Sequence, residues 1–221
     1  MATQVTQAGA TTQGVPFLER VLEWTRTHRQ ATSWIGTVLV VGAVLVVWTA
    51  SSTRRSEAIA SRQLQGARYA FDNQNLPLAA SELARIIENY SGTNAAAEGR
   101  LLLAQVRLLQ NQPQQAVELL RDFAPSAGAA FRAQAYGLLG AAHENLGKPR
   151  EAAEAYQNGA ERARMDFLKA QMLSDAGRAW AAAGDTAKAI TAYRRIVDEL
   201  PKEAGVTEAK VRLGELTKGT L

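Results

Sequence analysis

QAYGLLGAAHENLGKPREAAEAY (134–156) and QMLSDAGRAWAAAGDTAKAITAY (171–193) place the same residue classes at the same offsets. Tyr136, Leu139, Gly140 and His143 precede Gly147 at the spacings with which Leu173, Ala176, Gly177 and Trp180 precede Gly184. Steps of three, one and three residues put those groups on one face of a helix. Behind each glycine an alanine follows at the fifth position (Ala152, Ala189), and a tyrosine four residues later (Tyr156, Tyr193). A helix, a turn and a second helix make one unit, and the chain contains it twice in succession.

Upstream, the unit continues in weaker form. Asn75 with Ala80 and Asn111 with Ala116 repeat the turn-to-alanine interval, so the turns recur after 36, 36 and 37 residues. Pro77, Pro113 and Pro149 stand at one offset after three of the four turns. Proline suits the first turn of a helix, which has no use for the missing N–H. Small residues at Ala104, Gly140 and Gly177 allow a close approach of the paired helices, and Pro201 closes the last full unit. Ser56 to Phe71 read as helix before the first turn, and Glu203 to Leu216 repeat the helical half as a cap. Abundant alanine, few aromatics and no long β-branched run beyond residue 53 predict an all-α soluble part.

The pattern of an apolar–small pair, an aromatic, a turn, then alanine, aromatic and proline resembles the tetratricopeptide repeat family. Lys169 to Pro201 is the closest match; the unit from Arg132 has His143 in an aromatic position and Arg164 in place of proline. Arg107 and Leu120 replace aromatics in the second unit. The resemblance covers roughly Gln63 to Leu216 and implies an α-solenoid of about four hairpins plus a capping helix across 54–221. It further implies a protein-binding groove lined by the first helix of each unit: Gln65, Tyr69 and Asp72, then Leu101, Gln105 and Leu108, then Gln134, Leu138, Ala141 and Asn145, then Ser174, Asp175 and Arg178. Leu101, Gly137 and Ser174 occupy a row where members that hold a carboxylate terminus carry Lys and Asn, so that use is not expected. A solvated groove, or one filled by the chain's own N-terminal helix, is the competing reading.

Ahead of the repeats, ATSWIGTVLVVGAVLVVWTA (31–50) lies in an uncharged run from Gln30 to Thr53. About twenty residues at about 1.5 Å each give about 30 Å, the thickness of a bilayer core. Trp34 and Trp48 near its ends suit the two interfaces, and a transmembrane helix is expected over 31–53. A cleaved signal peptide would require a shorter apolar core and a short basic start, whereas some thirty residues precede this run; a buried core helix in a soluble bundle of this size would not be apolar all round. Residues 1–15 are expected to be a disordered tail. Residues 16–30, with Phe17, Val21 and Trp24 on one face, are expected to form an amphipathic helix at the membrane surface, or a docking helix for a partner. Arg20, Arg26 and Arg29 on one flank balance Arg54, Arg55, Arg62 and Arg68 on the other, so charge leaves the orientation open. A short tail held inside is the simpler topology, because large domains translocate largely regardless of charge.

This layout is similar to the YfgM-like family of single-span inner-membrane proteins. That resemblance implies a bacterial inner membrane location with the N-terminus cytoplasmic and the repeats periplasmic. The partners it implies are translocon subunits, periplasmic chaperones and exported chains. A structural subunit of another membrane complex, held by its span with the repeats as a brace, is the alternative; Gly36, Gly42 and Ala43 would admit a neighbouring helix. A regulatory scaffold is a third class.

The residues offer little chemistry. The net charge of +4 is spread over 25 basic and 21 acidic side chains, a solvated surface and not a nucleic-acid stripe. With no cysteine there is no disulfide, thiol nucleophile or Cys-based zinc site. His28 and His143 have no carboxylate at ligand spacing, and Asp198 and Glu199 diverge by about 100° on a helix. No phosphate loop or nucleophile elbow occurs. Neither catalysis nor a cofactor or metal is expected.

Overall fold

The computed structural model describes residues 29–219. The expected tail (1–15) and all but the last two residues of the expected amphipathic helix (16–30) lie outside the described residues, as do the side chains at 29–33, 35, 36, 39 and 50. Among the described residues there are ten helices and no strand: α1 Arg29–Asp72, α2 Leu76–Asn89, α3 Asn94–Leu109, α4 Pro113–Leu120, α5 Phe123–Ser126, α6 Arg132–Asn145, α7 Pro149–Ala160, α8 Asp166–Ala182, α9 Thr186–Glu199 and α10 Val206–Thr217. The chain divides into two compact units, Met1–Ser52 and Thr53–Leu221.

The second unit is a stack of four helical hairpins. The C-terminal half of α1 pairs with α2, α3 with α4, α6 with α7 and α8 with α9, while α10 packs on α9 as a single closing helix. This is the expected all-α solenoid.

Each hairpin closes through the same backbone device. Gln74, Asn111, Gly147 and Gly184 all have positive φ, between 55° and 78°. The N–H of the following residue donates to the carbonyl five residues back: Asn75 to Ala70, Gln112 to Arg107, Lys148 to His143 and Asp185 to Trp180, at 2.8–2.9 Å. These are Schellman closures, which satisfy carbonyls that the helix end leaves without partners. The next helix begins two residues beyond the left-handed residue in every unit.

That shared frame corrects the first repeat by one residue. Gln74, and not Asn75, takes the left-handed turn, and Ala79, fully buried, stands where Ala116, Ala152 and Ala189 stand in the later units. Pro77 is therefore the second residue of its helix, while Pro113 and Pro149 are the first of theirs. Asn75 serves as N-cap, its Oδ1 accepting from the Leu78 N–H at 3.3 Å. In the fourth unit, which lacks the proline, Asp185 caps α9 through the Lys188 N–H at 3.1 Å.

Inside the hairpins a small residue meets a large one. A Cβ added to Gly140 would lie 2.7 Å from the Tyr156 ring, and one added to Gly177 would lie 2.7 Å from the ring of Tyr193. The first two units place Ala67 with Leu83 and Ala104 with Leu120 at the same positions, all buried at 0% exposure. Ala–Leu and Gly–Tyr fill the same space with different partitions of volume.

Two local features complete the stack. Glu57 of α1 accepts from the first N–H groups of α3, Asn94 at 2.7 Å and Ala95 at 3.0 Å, while Thr93 Oγ1 takes that of Ala96 at 3.0 Å. The α3 N-terminus is thus capped jointly by its own N-cap residue Thr93 and by Glu57 of α1. In the second hairpin α4 is only eight residues long. Pro125 has no N–H to offer the Arg121 carbonyl, so the helix cannot run on, and the short α5 follows.

In the first unit, the described apolar side chains of α1 point outward: Trp34 is 73% exposed, Trp48 66% and Val38 67%. Among the described residues no helix is long and apolar enough to cross a membrane.

Ion pairs tie neighbouring segments of the stack, Arg68 to Glu98, Lys169 to Glu199 and Arg195 to Glu161, while Arg195 also pairs with Glu199 one turn along its own helix. Hydrogen bonds from Arg195 and Lys169 pull the Glu199 carboxyl down to about 2. A carboxyl so depressed stabilises the fold above its unfolded pKa and loses that contribution as pH falls towards 2.

Three outcomes are expected from circular-dichroism unfolding of the full chain. Gly147→Ala, which meets no atom within 4 Å, loses about 1 kcal/mol through left-handed backbone strain alone. Gly177→Ala loses about 1–3 kcal/mol by overpacking, and Tyr193→Leu in the same chain recovers part of it, so the double variant is more stable than the sum of the singles. Glu199→Gln flattens the fall in melting temperature between pH 5 and pH 2.5.

Candidate functional site: the face of the first helices

The residues expected to line a groove lie on α1, α3, α6 and α8, and they divide into three groups. Gln65, Tyr69, Gln105, Gln134, Asn145 and Arg178 are exposed, Tyr69 at 73%. Leu108 and Leu138 are half-buried and pack against the middle core. Leu101 is a correction: at 3% exposure it belongs to that core with Ala104, Ala116, Leu120 and Tyr136, and it offers nothing to a ligand. The row expected to lack a carboxylate clamp is filled by packing as well. A Cβ on Gly137 would lie 2.5 Å from Met172 Cε.

Arg178 is bound within the chain. Its Nη1 pairs with Glu144 of α6, and its Nη2 donates to Glu144 Oε2 at 3.2 Å and to Asp175 Oδ1 at 2.8 Å. Tyr156 Oη donates to the same Glu144 Oε2 at 2.8 Å. Although burial opposes it, the two carboxylates hold the guanidinium firmly charged. Burial, and then the hydrogen bond to Glu144, push the Tyr156 phenol upward, so it stays a donor. This network joins the third hairpin to the fourth across 34 residues of sequence.

On the same face, α8, α10 and the turn before α10 enclose an open cavity of about 360 Å³. Phe167, 56% exposed, stands at its lining with the buried Tyr193. Asp175, Glu203, Glu208, Arg178 and Arg212 supply its charges, and Gln171 and Ser174 its neutral polar groups. Arg212 is engaged by Glu215 at 3.0 Å and faces Glu208 at 3.9 Å. Burial is the main cause that raises the Asp175 carboxyl, with Glu144 and Glu208 adding to it. Sequence reasoning reached Ser174, Asp175 and Arg178 but not Phe167, Glu203, Glu208 or Arg212. Those four lie on three separate segments, and no spacing in the sequence marks them as neighbours.

A second cavity, about 480 Å³, opens between α7 and α9 on the opposite helices of the hairpins. Its floor is Trp180, whose ring carries Lys188 Nζ at 4.0 Å and whose indole N–H donates to Gln157 Oε1 at 3.4 Å. His143 occupies the position of Trp180 one unit earlier. It is half-buried, its Nδ1 has no hydrogen-bond partner, and burial lowers its pKa. Among the described residues no group of three or more His, Asp or Glu could hold a metal ion.

Comparison with known proteins agrees with the fold. The crystal structure of MamA superposes with a TM-score of 0.56 at 21% identity, covering 69% of this chain and 83% of that one. A second MamA structure gives 0.58 at 20% identity, covering 72% and 81%. The nearly identical TPR-like repeats of a Podosopora anserina protein described as a kinesin light chain give 0.58 at 18% identity, covering 72% and 87%. At these identities the likeness is one of fold. No curated protein matches the sequence significantly. Residues 173–202 match the tetratricopeptide repeat, and residues 50–172 match the tetratricopeptide repeat-like domain. Repeats of this kind are protein–protein interaction modules, and the chain belongs to the tetratricopeptide repeat-like family.

Proposed function

We propose that the chain is a membrane-anchored protein-binding module, held in a bacterial inner membrane by residues 31–53 with its N-terminus cytoplasmic and its repeats periplasmic. In this reading it serves protein export as an ancillary, chaperone-type factor whose partners are translocon subunits and exported chains. The observation that carries the anchor is the run of outward-facing apolar side chains on α1. From Val40 to Val47 the described valines and Leu45 are 52–67% exposed, with Trp34 and Trp48 beyond them, in a stretch that has no charged residue between Arg29 and Arg54. A water-facing helix of this composition has no compensating contact, whereas lipid supplies one. The export role is supported by the resemblance of the whole layout to YfgM-like proteins.

Tethering confines the repeat surface to the neighbourhood of a membrane. Partners held there meet it at a high effective concentration, so weak contacts suffice.

Purification of the full-length chain from its native membrane in mild detergent, with co-purifying proteins identified by mass spectrometry, tests the proposal. Translocon subunits and exported chains are expected. A single stoichiometric complex without translocon subunits overturns the export role and favours a structural subunit, and recovery from the soluble fraction overturns the anchor.

A further inference from the structure

The cavity between α8 and α10 has an unbalanced charge. Asp175, Glu203 and Glu208 line it against Arg178 and Arg212, and the next charges behind the two arginines are two further carboxylates, Glu144 and Glu215. Both guanidiniums are committed within the chain, Arg178 to Glu144 and Asp175, and Arg212 to Glu215 at 3.0 Å. Neither is free to receive an anion. Glu203, in contrast, has no ion-pair partner among the described residues, and Glu208 meets Arg212 only at 3.9 Å. On the lining of the same cavity Phe167 leaves more than half of its surface uncovered, at 56%. Gln171 and Ser174 add side-chain donors and acceptors to the lining. A volume of about 360 Å³ lies at the low end for a ligand pocket and suits one long side chain with its backbone.

Resting on the reading of the chain as a protein-binding module, we propose that this cavity takes a lysine or arginine side chain from an extended segment of the partner, its cation between Glu203 and Glu208 and its methylenes against Phe167. The selection is for positive charge, the reverse of a groove that clamps a terminal carboxylate. An aromatic face lining one cavity with two carboxylates favours a cation both through the ring quadrupole and through direct pairing. The α10 helix acquires a role beyond closing the stack, because it contributes Glu208 and Arg212 to the site.

The test uses the full-length protein in detergent and three fluorescent eight-residue peptides of one extended backbone, carrying lysine, norleucine or glutamate at the centre. The lysine peptide is expected to bind at least tenfold more tightly than either of the others, with the advantage declining as salt is raised. Glu203→Gln with Glu208→Gln removes the preference for lysine over norleucine, and Phe167→Ala weakens both of those peptides. Unfolding curves of the variants establish that the stack is intact. Equal binding of the three peptides, preference for glutamate, or no measurable binding of any of them overturns the inference. The proteins that co-purify from the membrane with the Glu203→Gln/Glu208→Gln variant provide a separate readout. If the same partners are recovered while the unaltered protein fails to discriminate among the peptides, the interaction reading stands and only the cavity's role falls.

Discussion

The stack rests on how closely the two helices of each hairpin can approach. That distance is set where the small residue of the first helix meets the large residue of the second, and the 2.7 Å that would separate a Gly177 Cβ from the Tyr193 ring leaves no tolerance. The remaining geometry follows. The approach fixes where the next hairpin lies, the next hairpin brings Glu144 opposite Arg178, and that pairing leaves Arg178 unavailable to ligands. Core packing here sets the chemistry of the exposed face.

The same constraint explains why the chain looks half degenerate as a sequence. Ala67 with Leu83 and Ala104 with Leu120 preserve the summed volume that Gly140 with Tyr156 and Gly177 with Tyr193 provide, although neither residue of the pair matches by identity. A fold that depends on volume and backbone closure tolerates this exchange. The backbone closures are equally permissive: Gln74 and Asn111 adopt the turn that Gly147 and Gly184 adopt, at a modest strain cost.

The period, the hairpins and the capping helix were therefore legible, since each depends on local spacing. The one-residue slip in the first unit has a physical source. Asparagine is favoured both in left-handed turns and at helix N-caps, and in QNLP the residue Asn75 fits either role until the Schellman bond from its N–H to Ala70 is seen. Leu101 was misplaced for a different reason. Its position on the first helix is outward relative to its own hairpin, but α6 packs there and makes it core. The α8–α10 cavity left no local trace, because Phe167, Glu203 and Glu208 come together only through the docking of the last helix.

Glu57 bears on how the molecule is made. Starting a helix is costly because several residues are fixed before the first hydrogen bonds form, and α3 has its earliest N–H groups held by a carboxylate that belongs to α1. During synthesis that carboxylate leaves the ribosome 37 residues before Asn94 does. Wherever α1 is already helical, its carboxylate offers the first N–H groups of α3 an acceptor and so lowers the cost of starting that helix.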